Sequence, residues 1–178
     1  CGQRALNPTM RVGEQIAEAV FLHQKIEKKE ALRIATGLLE QMGVANPDEN
    51  ARRYPFEFSG GMRQRVMIAM AMACNPRLLI GDEPTTALDV TIQTQILQLI
   101  KDLQKKRGMA VLFVTHNFGI VAGLAQRVVV MYNGKIVEKG RTEEIFYRPL
   151  HPYTQALLRS TLRMDTKKSR KDLYSIEG

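Results

Sequence analysis

The sequence predicts an α/β fold: a parallel β-α-β core, preceded by a helical subdomain and followed by a hairpin and further helices. Three observations carry that expectation. Two short apolar runs, Leu78-Leu79-Ile80 and Met109 to Val114, lack polar alternation, so each reads as a parallel strand covered on both faces. Between them Val90 to Lys106 places Ile92, Ile96, Leu99, Ile100 and Leu103 on one helical face, and strand, helix and strand in that order form a right-handed crossover. Upstream, apolar residues recur at helical spacing through the first fifty-odd positions.

Taken in order, Arg11 to His23 carries Val12, Ile16 and Val20 every four residues, and Lys28 to Met42 carries Ile34, Leu38 and Met42 beside Ala31, Ala35 and Leu39. Both are amphipathic helices. Gly43 stops the second, Asn46-Pro47-Asp48 can start a short third, and Tyr54-Pro55 breaks the chain. Val66 to Ala73, rich in Ala and Met, reads as a mostly buried helix with Ser59-Gly60-Gly61 at its start, and Cys74 closes it as a small packed hydrophobe. Phe118 to Ala125 makes a short helix. Asn133-Gly134 between Val128–Tyr132 and Lys135–Glu138 is a type I′ hairpin signal, where the sheet is expected to continue. Glu143 and Glu144 open a short helix, His151-Pro152 turns the chain, and Tyr153 to Leu162 forms the last helix.

The 178 residues suit one domain with a single core. No apolar run is long enough to cross a bilayer and no charged-then-apolar leader precedes the helices, so the expected compartment is the cytoplasm. Cys1 and Cys74 are too few for a disulfide framework or a zinc cluster. The net charge of +8 admits an anionic partner, yet Arg163, Lys167, Lys168, Arg170 and Lys171 concentrate part of it in a polar tail. That tail, with no apolar period, is expected to be poorly ordered.

The chemistry gathers where the first strand ends. Ligands of open α/β sheets sit outside the carboxyl ends of the strands, and there Asp82 and Glu83 stand side by side before Pro84. Asp82 can hold Mg²⁺, directly or through water, while Glu83 positions or deprotonates an attacking water. The alternative is an acid pair that caps the turn into the next helix. Ser59-Gly60-Gly61 is, in physical terms, a phosphate-binding corner: close backbone approach, a helix N-terminus and a hydroxyl. It is equally an ordinary loop-to-helix junction. His116 ends the second strand in the layer of the acid pair, suited to a phosphate or the attacking water rather than to a structural role.

In this order the motifs resemble the nucleotide-binding subunit of ABC transporters. Phe58-Ser59-Gly60-Gly61-Met62 is similar to the signature motif, Leu78 to Glu83 to Walker B with its catalytic Glu, Ala87-Leu88-Asp89 to the D-loop, and His116 to the switch histidine. Tyr54-Pro55, Met62-Arg63-Gln64-Arg65 and His151-Pro152-Tyr153-Thr154 resemble most the ATP-binding subunits of oligopeptide and dipeptide importers, with nickel importers close behind. The resemblance spans Ala5 to Leu162 and implies a partial P-loop NTPase fold. It implies a helical subdomain over 1–57, the signature helix and C-terminal half of the ATPase core over 58–162, and a polar tail over 163–178.

The resemblance further implies that ATP is bound between two subunits of a homo- or heterodimer. Ser59, Gly60, Gly61, Met62 and Asp89 would contact the nucleotide, Asp82 would hold Mg²⁺ through water, Glu83 would be the general base, and His116 would hold the γ-phosphate and water in line. The helical subdomain would meet the membrane-spanning permease subunits at the cytoplasmic face of the cell membrane, with a solute-binding protein engaged indirectly and no nucleic acid expected. Three departures stand out. No G-x-x-x-x-G-K-S/T phosphate loop occurs, Gly81 stands where Ala is usual, and Asn117 where Asp is usual. The chain is therefore expected to be truncated and inactive alone, an ATPase only in the complete subunit. Two rivals are a non-catalytic dimerising or regulatory fragment, and a DNA-repair-type ATPase that binds nucleic acid through basic surface; the absent heptads and His151-Pro152-Tyr153-Thr154 speak against the latter.

Overall fold

Helical periodicity becomes tertiary structure in the first of two units. The computed structural model describes residues 6–86 and 88–164, and the chain divides between Val114 and Thr115. The first unit holds α1 (Val12–Gln24), α2 (Lys28–Gln41), α3 (Pro47–Asn50), a 3₁₀ turn (Pro55–Glu57), α4 (Gly60–Met72), β1 (Leu78–Asp82), α5 (Val90–Arg107) and β2 (Ala110–Val114). The apolar stripes meet in one core: Val12, Ile16 and Val20 of α1, Ala35 and Leu39 of α2, Val66 and Met72 of α4, and Ile96 and Ile100 of α5. Small residues set the α1 seam. Gly13 donates its N–H to the Ala51 carbonyl at 2.8 Å, so close that a side chain there would collide with the Ala51 backbone.

β1 and β2 pair in parallel from Leu78 opposite Ala110 to Asp82 opposite Val114, as the crossover pattern requires. Their burial differs from expectation. Leu79, Val111 and Phe113 pack on the core, whereas Leu78, Ile80, Leu112 and Val114 remain 50–61% exposed on the other face. The expectation of strands covered on both faces is therefore corrected: the helices of this unit cover one side of the sheet, although both sides have the composition of buried strands. Cys74 is likewise exposed rather than packed, because it lies beyond the end of α4 in the turn toward β1, with Sγ 3.6 Å from the Ala19 carbonyl oxygen.

The second unit comprises α6 (Phe118–Leu124), β3 (Arg127–Tyr132), β4 (Lys135–Arg141), α7 (Thr142–Tyr147) and α8 (Pro152–Met164). Asn133 and Gly134 both take positive φ, +46° and +73°, the backbone a type I′ turn demands. The sheet does not continue into this hairpin: β3 and β4 form a separate antiparallel pair. A register shift between Val130 and Met131 marks a bulge that bends the ribbon and increases its twist, and pairing resumes at Met131 opposite Ile136. The expected disorder of the tail lies outside the described residues from 165 onward.

The His-Pro-Tyr-Thr segment anchors α8. The Glu138 carboxylate accepts the N–H groups of Leu150 at 2.7 Å and His151 at 3.1 Å, and His151 Nδ1 accepts the Tyr153 N–H at 3.1 Å. Tyr153 also packs its ring on Tyr132, centroids 4.5 Å apart. Desolvation raises the Glu138 pKa, but the donors around the carboxylate, the Leu150 and His151 N–H groups among them, outweigh it and hold the carboxyl below its ordinary value. A lowered folded-state pKa means that the clamp is intact above the ordinary carboxylate range and is lost as pH falls through the folded value. Glu138→Gln, with one acceptor oxygen for two donors, is expected to lower the amide-exchange protection factors of Leu150 and His151 several-fold, and acidification of the unaltered protein to lower them too once the slower intrinsic exchange in acid is divided out; unchanged protection would remove Glu138 from this role.

Candidate functional site

Two helix starts and one strand end carry the candidate residues of the first unit. α4 begins at Gly60, with Ser59 in extended conformation as its cap, the Oγ accepting the Met62 N–H at 3.3 Å. A hydroxyl that accepts still has its proton to donate, so the cap role leaves Ser59, which is exposed, free to serve an anion as well. The first N–H groups of α4 have no intrahelical acceptor, and no acidic residue occupies its first turn, so the dipole there favours an anion. Arg65 ties the helix down, reaching the Met42 carbonyl at 2.6 Å and Gln95 Oε1 at 3.1 Å.

The glycine pair has a packing cause that the sequence alone did not disclose. A Cβ on Gly61 would lie 2.6 Å from Ile92 Cγ2, and one on Gly60 would lie 3.3 Å from Leu88 Cδ2. The starts of α4 and α5 therefore touch. Asp89 caps α5, its Oδ1 accepting the Ile92 N–H at 2.9 Å, so the structure brings Ser59, Gly60, Gly61, Met62 and the Asp89 turn together around Leu88 and Ile92.

At the end of β1, Asp82 is exposed and Glu83 half-buried. The Glu83 N–H donates to the Val114 carbonyl at 2.9 Å, extending the ladder one residue before the chain turns. That turn is sharp. Glu83 adopts φ +49°, left-handed backbone that costs an L-residue about 1–2 kcal/mol, and such outliers cluster at functional sites. The Thr86 N–H donates to the Glu83 carbonyl at 3.2 Å and the Thr86 hydroxyl donates to Glu83 Oε2. Gly81 leaves room for Pro84, whose Cγ would stand 3.2 Å from a Cβ there. Among the described residues no group of three or more His, Cys, Asp or Glu could hold a metal ion. A lone strand-end carboxylate still fits Mg²⁺, which keeps several waters and takes one or two carboxylates with substrate phosphates.

His116 is exposed and belongs to the second unit, two residues past β2. Asn117, next to it, caps α6 by accepting the N–H groups of Gly119 at 2.9 Å and Ile120 at 3.4 Å, and donates its own N–H to Thr115 Oγ1 at 3.1 Å. Asn in place of Asp thus keeps the cap, since both offer a side-chain oxygen. Sequence reasoning missed Thr86 and Ile92. The doubled Thr after Pro84 was a signal for the first; Ile92 gave none beyond its place on the α5 stripe.

The ABC transporter family matches residues 2–86, and the oligopeptide/dipeptide transporter C-terminal region matches residues 137–178. The oligopeptide transport ATP-binding protein OppD of Bacillus subtilis (strain 168) is 56% identical over 174 residues, covering 98% of this chain and 48% of that protein. The dipeptide transport ATP-binding protein DppD of the same strain is 53% identical over 174 residues, 98% of this chain and 51% of that protein. The glutathione import ATP-binding protein GsiA of Escherichia coli (strain K12) is 55% identical over 164 residues, 92% of this chain and 26% of that protein. Among solved structures, the dimeric post-hydrolysis state of the ATP-binding cassette MJ0796 bound to ADP and Pi superposes with a TM-score of 0.69 at 27% identity, over 79% of this chain and 60% of that one. The chain spans about half the length of OppD and DppD.

Proposed function

As residues 2–86 match the ABC transporter family and residues 137–178 the oligopeptide/dipeptide transporter C-terminal region, we propose that this chain is the signature- and acid-bearing part of an ATPase subunit that energises the import of peptides. The observation that carries the reading is the end of β1, where a strand delivers Asp82 and Glu83 side by side into a turn held in left-handed backbone. Glu83 takes a proton from the water that attacks the γ-phosphate. Asp82 would hold Mg²⁺, which when bound would supply charge neutralisation for phosphoryl transfer. The Ser59 hydroxyl and the N–H groups of Gly60 and Gly61, with Met62 behind them and Asp89 at the adjoining helix start, receive the γ-phosphate of a nucleotide seated on the opposite subunit of a dimer. His116 holds that phosphate and the water in line.

Peptides as the cargo class are supported by the printed functions of OppD, DppD and GsiA and by the match over 137–178. Dimerisation is supported by the dimeric neighbour. The helical subdomain, 1–57, docks on the permease subunits at the cytoplasmic face of the membrane, and 58–162 forms the C-terminal half of the ATPase core; a solute-binding protein is reached only through the permease. Among the described residues no helix is long and apolar enough to cross a membrane.

A second reading, a non-catalytic dimerising or regulatory fragment, is favoured by one observation: no G-x-x-x-x-G-K-S/T loop occurs among the 178 residues. Calorimetric titration with Mg-ATP separates the two. The 178-residue chain is expected not to bind, and the same chain extended to the relatives' full length is expected to bind and hydrolyse. A full-length protein that binds without turning over would support the fragmentary role, and binding by the short chain would mean that the phosphates sit elsewhere.

A further inference from the structure

This inference rests on the reading of Glu83 as the general base. We infer that Thr86 is a positioning residue for Glu83, its hydroxyl holding the carboxylate in a single orientation at the head of the turn. Thr86 grips both ends of that residue: its hydroxyl donates to Glu83 Oε2, and its N–H donates to the Glu83 carbonyl oxygen at 3.2 Å. The Glu83 backbone is fixed independently by its N–H bond to the Val114 carbonyl at 2.9 Å and by the left-handed turn at φ +49°. The backbone alone does not aim the base, because a glutamate retains three side-chain torsions after its Cα is placed. In-line attack demands reacting atoms within a few tenths of an ångström of one geometry. The Thr86 hydroxyl removes the remaining freedom.

Threonine suits the task better than a more flexible donor, since its β-branch restricts χ1 and pre-sets the direction of the O–H. Thr86 is itself exposed, while its neighbour Thr85 is buried at 6% exposure and anchors the turn through its carbonyl, which accepts the Leu88 N–H at 3.2 Å. Packing and positioning are thus divided between adjacent threonines.

The test uses the full-length protein and three variants: Thr86→Val, which keeps the shape and removes the O–H, Thr86→Ser, which keeps the O–H, and Glu83→Gln. Thr86→Val is expected to lower kcat roughly tenfold at unchanged KM for ATP. Thr86→Ser should restore most of the rate. Wild-type kcat in Thr86→Val, with Glu83→Gln inactive, would overturn the positioning role and leave the base assignment standing. Equal losses in the Val and Ser variants, accompanied by a lowered melting temperature, would assign Thr86 to structure and overturn it as well. Turnover surviving in Glu83→Gln would overturn both.

Discussion

In the full-length protein, Glu83→Gln is expected to reduce ATP turnover by about a hundredfold or more while leaving Mg-ATP binding intact. The substitution is nearly isosteric, and a glutamine carbonyl can still accept the Thr86 hydroxyl that holds Glu83 Oε2. The backbone that shapes the turn, the Glu83 N–H on the Val114 carbonyl and the Thr86 N–H on the Glu83 carbonyl, is untouched. What disappears is basicity. Loss of phosphate release with unchanged calorimetric binding would match a residue used in the chemical step, and loss of both would mark Glu83 as a binding or folding group. Substantial residual hydrolysis would remove it from catalysis and return the strand-end acids to the turn-capping alternative.

Gly61→Ala is expected to destabilise the protein by about 1–3 kcal/mol, against the gain that Ala usually brings to a helix. The added Cβ would stand 2.6 Å from Ile92 Cγ2, and that methyl sits on a β-branched side chain with little freedom to swing aside. Propensity alone would favour Ala by up to about 1 kcal/mol, less at a first-turn position, so the overlap wins. Relief should come from the other side: adding Ile92→Ala removes the obstructing methyl, and the double variant should lose less stability than the two single changes summed. Urea unfolding of the full-length protein reads this directly. A neutral Gly61→Ala would mean that α4 and α5 do not meet as described, and that the glycine pair answers to a ligand instead of a neighbouring helix.

Most of the elements were legible because their signals are local. The four-residue spacing of Val12, Ile16 and Val20, the stripe of Ile96, Ile100 and Leu103, and the Asn133-Gly134 turn each encode their own structure, and each is found where its pattern lies. The adjacent acids were legible too, since a short apolar run that ends in Asp82 and Glu83 before Pro84 marks the end of a strand. The motif order was sufficient for the family resemblance, which the relatives then bore out.

What misled was burial. Leu78, Ile80, Leu112 and Val114 have the composition of residues covered on both faces, and composition records what a strand is suited to pack against, not whether that layer is present in these 178 residues. The hairpin was placed correctly along the chain and wrongly in the sheet, because pairing between strands is a non-local choice that no turn residue encodes.

The sequence by itself determined where helices and strands begin, which residues could carry charge to a site, and the family that its motifs resemble, all properties of spacing along one chain. Only the tertiary structure decided why Gly61 has no side chain, that Glu83 sits in left-handed backbone, that Thr86 takes its carboxylate, and that Glu138 clamps the turn before α8. Those facts are distances between groups brought together by folding, and a distance across space has no signature in a linear pattern until the core that sets it has formed.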